Sequence, residues 1–512
     1  MADYVFGANL LEILTTGMYQ FSQIIFREYI QNSCDAIDKA ITLGILKSGE
    51  GKIDIWLDDD KRLISVEDNG TGIAAEEFEL TLQSIAQSGK QIDTEKGFRG
   101  IGRLCGLAYC RELVFSTTAK GEDLISTMRI DSKKLRSRFY GETKYTAQEV
   151  LDDVITVEKN FSDNARQEHW FKVELIDINA ENRILLDETF IRDYLSFVAP
   201  VEYRNTFCFD KKIYEHAASL NFKIDEYRID LNGEQLVKKY KTDFKTSKGS
   251  DEIFDLSFKD FYDGAGQLLA WSWIGLSKFK GVLNQKIDTT DYKMRSIRLR
   301  KGNIQIGEAD ALQKLFKEER GIHYFIGEVF AVSKDLIPNS QRDYFIENYA
   351  LRIFEEALAD YFLDLRKVYY AASEVNSALR VVEELSTVEK NFNSQVFVSK
   401  NHRDATQEKL DALRTKAEES SRKIERQQRI AGSDYLLSRV VNRILTKSNQ
   451  SAQLALPSPS PKTALNNLAK IFPKLKRDER KLVLKILDVI RENTDAATFE
   501  NLQRKIVEVV SG

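Results

Sequence analysis

Three short stretches hold residues whose types and spacing could do chemistry. In FREYIQNSCDA, Glu28, Asn32 and Asp35 are four and three residues apart, which sets them on one face of a helix. Phe26, Ile30, Cys34 and Ile37 form a separate apolar stripe, so a core-packed helix presents two carboxylates and an amide together. Such a trio is either a site or simply the wet face of the helix. In VEDNGTGI, Gly70 and Gly72 bracket a turn behind Asp68. Glycines there permit positive φ and let a flat ligand approach the backbone. A shielded Asp68 can accept a hydrogen bond from an exocyclic amine, selectively, because an unpaired buried acceptor costs about 1–3 kcal/mol. In GFRGIGRLCGL, Gly97, Gly100 and Gly102 precede an apolar run, and a glycine-rich loop leading into a helix offers bare N–H groups to phosphates. This loop is neither a P-loop nor a Rossmann fingerprint.

The elements that must position these residues read as follows. Residues 10–46 are helical with a break near Gly17. KIDIWLD and RLISVEDNG alternate as adjacent strands joined through Asp58–Asp60, and ELVFSTTA, LISTMRID and FKVELIDI add further strands. Helices packed on one face of a sheet are expected, with a second mixed region carrying strands in RSIRLRKGNIQIG and YFIGEVFAV. From Leu351 apolar residues recur at threes and fours, giving long helices to about 448. Thr406–Gln428 is highly charged with a thin apolar seam of imperfect heptads, consistent with a helical hairpin or short coiled coil, or equally with a solvated helix. LALPSPSPK is an extended linker. The fold class is α+β. Net charge of −4 creates no global positive field toward nucleic acid, although a local patch remains open. Four cysteines without a CxxC pair argue against a structural zinc site and for a reducing, cytoplasmic setting. No apolar run is long enough for a membrane span, and no membrane association is expected.

Taken together and in order, the three stretches resemble the N, G1 and G2 boxes of the GHKL ATPase superfamily (DNA gyrase, heat shock protein 90, histidine kinases, MutL), most nearly its heat shock protein 90 branch. The resemblance implies a Bergerat α/β sandwich binding ATP and Mg²⁺. It gives Glu28 the role of the base that orients the attacking water, Asn32 that of the Mg²⁺ ligand, and Asp35 a supporting role. Asp68 would receive the adenine amino group, and Gly70 and Gly72 would let the base lie flat. Gly97, Arg99, Gly100, Ile101 and Gly102 would wrap the phosphates, with Ser88 and Lys90 near the lid entrance. Two positions depart from the pattern. Gln87 stands where the family has a lysine, with Arg99 available to replace that charge, and no threonine near HWFKVEL fills the family's adenine-site role.

The likeness continues in YFIGEVFAVSKDLIPNSQRDYF, which resembles the middle-domain catalytic loop and sets Arg342 as the arginine reaching the γ-phosphate. Arg298, Arg300 and Lys301 in RLRKGN read as a solvated basic strand, and His402 as a surface histidine. The expected organisation is an ATP-binding domain at 1–186, a middle α/β domain at 187–350, a helical region at 351–448, a linker at 449–461 and a small helical unit at 462–512. The preferred function is a Mg²⁺-dependent ATPase working as a homodimeric, ATP-driven clamp on a protein client or partner. Two alternatives stay open. One is a nucleic-acid-associated switch of MutL-like or MORC-like type, including a component of a phage-defence system, with KLKRDERKLVLK as its basic helix. The other is a nucleotide-sensing scaffold with little turnover.

Overall fold

The computed structural model describes residues 21–84, 102–139, 145–283, 286, 289–394 and 399–451, with isolated residues 479, 482, 483, 486, 502, 505 and 506. Ser88, Lys90, Gly97, Arg99, Gly100 and Ile101, all of the expected linker past residue 451 and nearly all of the last helical unit lie outside the described residues. The chain divides into two units, Met1–Ala372 and Ser373–Gly512.

The helices are α1 (Ile24–Thr42), α2 (Phe78–Gln83), α3 (Ser132–Phe139), α4 (Ala147–Val154), α5 (Glu188–Val198), α6 (Asp210–Ser219), α7 (Thr289–Lys293), α8 (Tyr349–Ser394), α9 (Lys400–Ala431) and α10 (Tyr435–Ser451). Strands of the first sheet are β1 (Lys52–Asp58), β2 (Leu63–Asp68), β3 (Cys110–Thr118), β4 (Leu124–Asp131), β5 (Ile155–Phe161), β6 (Trp170–Ile178), β7 (Arg228–Leu231) and β8 (Glu234–Gln235). They pair in the order β5-β4-β3-β6-β2-β1-β7-β8. Its last two strands come from beyond residue 220, and β7 runs parallel to β1.

Helix α1 lies against this sheet because its stripe of Phe26, Ile30, Cys34 and Ile37 is fully buried. Burial of each large member is worth about 1.5–3 kcal/mol. It stops where Gly44, at φ 68°, donates back to the Ile41 carbonyl at 3.0 Å, the left-handed closure that glycine adopts without strain. The β1–β2 turn is held by Asp58, whose Oδ1 accepts from the Lys61 N–H at 2.9 Å.

The second sheet contains β11 (Asp255–Tyr262), β12 (Leu268–Leu276), β13 (Ser296–Lys301), β14 (Ile304–Ile306) and β15 (Ile326–Ala331), ordered β11-β12-β15-β13-β14, with a separate hairpin of β9 (Asp243–Thr246) and β10 (Gly249–Glu252). Trp271 stacks on Phe330 at 4.5 Å in a core that also holds Trp273, Tyr203 and Tyr240.

The basic strand is not solvated. Arg300 is fully buried and Arg298 nearly so. The reason is Glu328 on β15, the strand that pairs in parallel with β13. Its Oε1 accepts from Arg300 Nε at 2.5 Å and Tyr240 OH at 3.0 Å. Its Oε2 accepts from Tyr203 OH at 2.5 Å, Trp273 Nε1 at 3.2 Å and Lys238 Nζ at 3.3 Å. Burial alone would raise the Glu328 carboxyl, but Arg300 and Lys238 hold it down at about 2. Arg300 also donates to the Phe197 carbonyl at 2.6 Å, and the Arg298 guanidinium lies 4.5 Å over the Phe197 ring. Phe197 is in the last turn of α5, a helix whose Ile191 and Leu195 belong to the first sheet's core. The charged network therefore ties the first sheet's layer to the second.

In the second unit, the part of α8 from Ser373 onward runs antiparallel to α9. Arg414 donates to Glu389 at 2.8 Å and Gln427 bonds Glu374, around a small core of Val382, Leu385, Leu410 and Ala417. Of the two readings of Thr406–Gln428, the helical pair is the one observed. His402 is exposed. Among the described residues no helix is long and apolar enough to cross a membrane.

Candidate functional site

Helix α1 carries a polar stripe that is buried nearly as well as its apolar one. Glu28 is 7% exposed and Asp35 6%, while Asn32 is half-buried. A carboxylate is rarely buried to this degree without charged or polar neighbours. For Glu28 these neighbours are two arginines: Arg27 Nε is 3.8 Å from its Oε1, and Arg342 Nε is 3.7 Å from the same oxygen. The other oxygen lies against Gly102, where any side chain would overlap it. The structure thus brings Glu28, Gly102 and Arg342 together, although Arg342 is separated from Glu28 by more than 300 residues.

Arg342 is delivered by a tight hairpin closed by a bridge between Pro338 and Phe345. Its φ is +54°, an uncommon conformation for a residue with a side chain. Three contacts hold it there. Its N–H donates to the Asn339 carbonyl at 3.2 Å, and its own carbonyl accepts from the Gly307 N–H at 2.8 Å and from Arg27 Nη1 at 3.4 Å. Arg27 Nη2 donates to the Gln341 carbonyl at 3.0 Å. Arg27, beside the candidate base in sequence, therefore grips the backbone of the arginine loop. Sequence reasoning missed it, and its position next to Glu28 was the available signal.

At the other end of the site, Asp68 closes β2 and is 3% exposed. Its Oδ1 accepts from the Gly70 N–H at 2.9 Å. Gly70 packs on Ala36 of α1, and Gly72, at φ 62°, crosses so close to the Thr118 carbonyl that a Cβ would overlap it. Both glycines are required by contact, and the second also by its dihedral. His169 Nδ1 lies 2.7 Å from the Gly70 carbonyl and closes the turn from outside.

A threonine reaches the Gly72 turn from a different strand. On β6 the residue opposite Asp68 is Phe171, and opposite Phe171 on β3 is Thr117. Thr117 Oγ1 accepts from the Ile73 N–H at 3.0 Å and donates to the Trp170 carbonyl at 2.7 Å, so a hydroxyl reaches the Gly72 turn from one strand further away.

The two ends of the glycine-rich segment are clasped by Arg103. Its Nη2 donates to the Ser84 carbonyl at 2.5 Å, across residues 85–101, and burial lowers its guanidinium to about 10. Tyr29 OH donates to the Arg103 carbonyl at 3.3 Å and accepts from the Gly106 N–H at 3.1 Å, fixing this exit to α1. The segment GRLCGLA (Gly102–Ala108) is a 3₁₀ helix.

A family model described as histidine kinase-, DNA gyrase B-, and HSP90-like ATPase matches residues 19–160. This segment belongs to the GHKL ATPase superfamily. The chain is 30% identical over 133 residues to the chaperone protein HtpG of Helicobacter hepaticus, covering 22% of each. It is 28% identical over 164 residues to HtpG of Geobacter metallireducens, covering 28% of this chain and 24% of that one. An endoplasmin homolog of Catharanthus roseus is 34% identical over 97 residues, 17% of this chain and 12% of its own. The chain spans no more than about a quarter of the length of these relatives.

A nucleotide fits the residues present. The Gly72 crossing is a cradle that a Cβ would fill, with a buried carboxylate beside it. Among the described residues no cluster of three or more His, Cys, Asp or Glu could hold a metal by itself. Mg²⁺ needs none, since it binds through one or two protein oxygens plus phosphates and water, which suits the half-buried amide of Asn32.

Proposed function

We propose that this chain is a Mg²⁺-dependent ATPase in which hydrolysis is coupled to the docking of the second sheet's layer on the first. The observation that carries the reading is the 3.7 Å approach of Arg342 to Glu28. A carboxylate positioned as base and an arginine delivered from another layer are what phosphoryl transfer to water needs, because catalysis there is mostly positioning and charge neutralisation. Asp68 selects the adenine amino group, Gly70 and Gly72 give it a flat seat, and the segment from Gly97 to Gly102, with Arg99 and Ile101, wraps the phosphates. Ser88 and Lys90 flank the entrance. Asn32 would hold Mg²⁺, which when bound would supply charge neutralisation, and Asp35 supports the helix face that carries Asn32 and Glu28. Glu28 takes the proton of the attacking water, and Arg342 meets the terminal phosphate oxygens with its planar fork.

The output is a conformational change transmitted to the C-terminal helices, which pair two chains or engage a client or partner protein. The similarity to chaperones supports a protein client. The test is a set of three variants. Asp68→Asn abolishes ATP binding in calorimetry. Glu28→Ala binds ATP but loses turnover, and Arg342→Ala keeps binding with turnover slowed at least tenfold. Normal hydrolysis by Glu28→Ala refutes the assignment.

A further inference from the structure

Half of the buried side-chain atoms left without a hydrogen-bond partner among the described residues cluster around the candidate site: Arg27 Nε, Glu28 Oε1, both amide atoms of Gln31, Arg103 Nε and Thr118 Oγ1. Gln31 stands out, being 1% exposed with donor and acceptor both unmet. An unsatisfied buried polar atom costs about 1–3 kcal/mol, so an apolar residue would serve the folded state better. Its neighbours are complementary. Gln31 follows Glu28 by three residues and Arg27 by four on α1, and side chains at those spacings are adjacent on a helix surface. The unmet N–H of Arg27 matches the unmet Gln31 carbonyl oxygen, and the unmet Glu28 oxygen matches the Gln31 amide N–H₂. That Glu28 oxygen is also the one that Arg342 approaches.

We infer that Gln31 is a positioning residue for hydrolysis: when Arg342 leaves Glu28 for a phosphate, the Gln31 amide takes its place. Its nitrogen donates to Glu28 Oε1 while its oxygen accepts from Arg27 Nε. The base keeps its orientation, and Arg27 keeps its grip on the Gln341 and Arg342 carbonyls. A single water bridging the same atoms performs the same exchange.

This inference rests on the ATPase reading, and Gln31→Leu in the full chain separates the two. Leu fills the volume without polar atoms, so thermal stability is unchanged or higher and calorimetric affinity for an ATP analogue stays within about twofold. The kcat falls roughly tenfold or more, the worth of a hydrogen bond to a charged group. Gln31→Glu accepts from Arg27 but donates to Glu28 only when protonated, so the ratio of its kcat to wild type rises as pH falls. Combining Gln31→Leu with Arg342→Ala gives less than the product of the single effects, since both act on one oxygen. Wild-type kcat in Gln31→Leu, or full additivity with Arg342→Ala, overturns the inference while leaving the ATPase reading intact. Absence of Glu28-dependent turnover in the wild-type chain overturns that reading itself.

Discussion

Replacing Glu328 by Gln removes one charge from a site where five donors converge on two oxygens. The isosteric amide has a single acceptor oxygen, so its N–H₂ must face either Arg300 and Tyr240 or Lys238, Tyr203 and Trp273, donor against donor. Arg300 and Lys238, both fully buried, lose their counter-charge. Removing one partner of a buried pair costs about 3–5 kcal/mol, because the remaining charge cannot return to water. With a urea slope of about 2 kcal/mol/M, the midpoint falls by about 1.5–2.5 M. Urea titration followed by tryptophan fluorescence is the natural assay, since Trp273 donates to Glu328 and reports the site directly. The wild-type protein should lose the same stabilisation in acid. The folded carboxyl is held at about 2 against an ordinary value of 4.5, so its contribution is intact above pH 4.5 and is lost as pH falls toward 2. A Glu328→Gln midpoint within 0.5 M of wild type, roughly 1 kcal/mol on that slope, would show that the network carries far less than its geometry implies.

Burial and the neighbouring Arg300 push the Lys238 ammonium down to about 7 from its ordinary 10.5. Between those values the unfolded chain holds a proton that the folded protein has released, so stability rises with pH across this window. Lys238→Met should flatten that rise in denaturant titrations at pH 7 to 10. Gly72→Ala places a Cβ against the Thr118 carbonyl at a left-handed φ. Left-handed backbone alone costs about 1–2 kcal/mol, and ATP affinity measured by calorimetry should fall at least tenfold. Of the four thiols, Cys208 is exposed while Cys34, Cys105 and Cys110 are buried. Burial raises the Cys110 thiol to about 12 and pushes the Cys105 thiol well above its ordinary value. A disulfide-exchange reagent should therefore titrate one thiol in the native protein and four after unfolding.

The local part of this architecture was legible in the sequence, and the non-local part was not. The stripe of Phe26, Ile30, Cys34 and Ile37 and the hairpin at Asp58 are set by periods and turn chemistry within a few residues, and both appear as read. The basic strand was misread because the carboxylate that buries Arg300 arrives 28 residues later, on a strand reached by a parallel crossover. Thr117 escaped notice for the same reason. Its relation to Asp68 passes through β6, which comes last in sequence of the three strands and lies between the other two. Asn32, Asp68, Gly70 and Gly72 lie within short motifs, whereas Arg27, Gln31 and Arg103 gain meaning only from what packs against them.

The arginine loop is held through its backbone. Arg27 and Gly307 bind carbonyl oxygens of the loop, so main-chain atoms anchor its backbone. The Arg342 guanidinium meets Glu28 at 3.7 Å, longer than a charge-assisted hydrogen bond. At an effective dielectric of about 20 the gross attraction at that distance is roughly 4–5 kcal/mol before desolvation. A terminal phosphate carries more charge than a carboxylate and offers oxygens spaced for both arms of the fork, so in the proposed ATPase it competes with Glu28 for the guanidinium. In the proposed ATPase the step that readies the base is then a side-chain exchange on a backbone already docked. Holding Arg342 at positive φ costs strain that the loop's hydrogen bonds offset. A loop anchored through its side chain instead would have to undock before it could act.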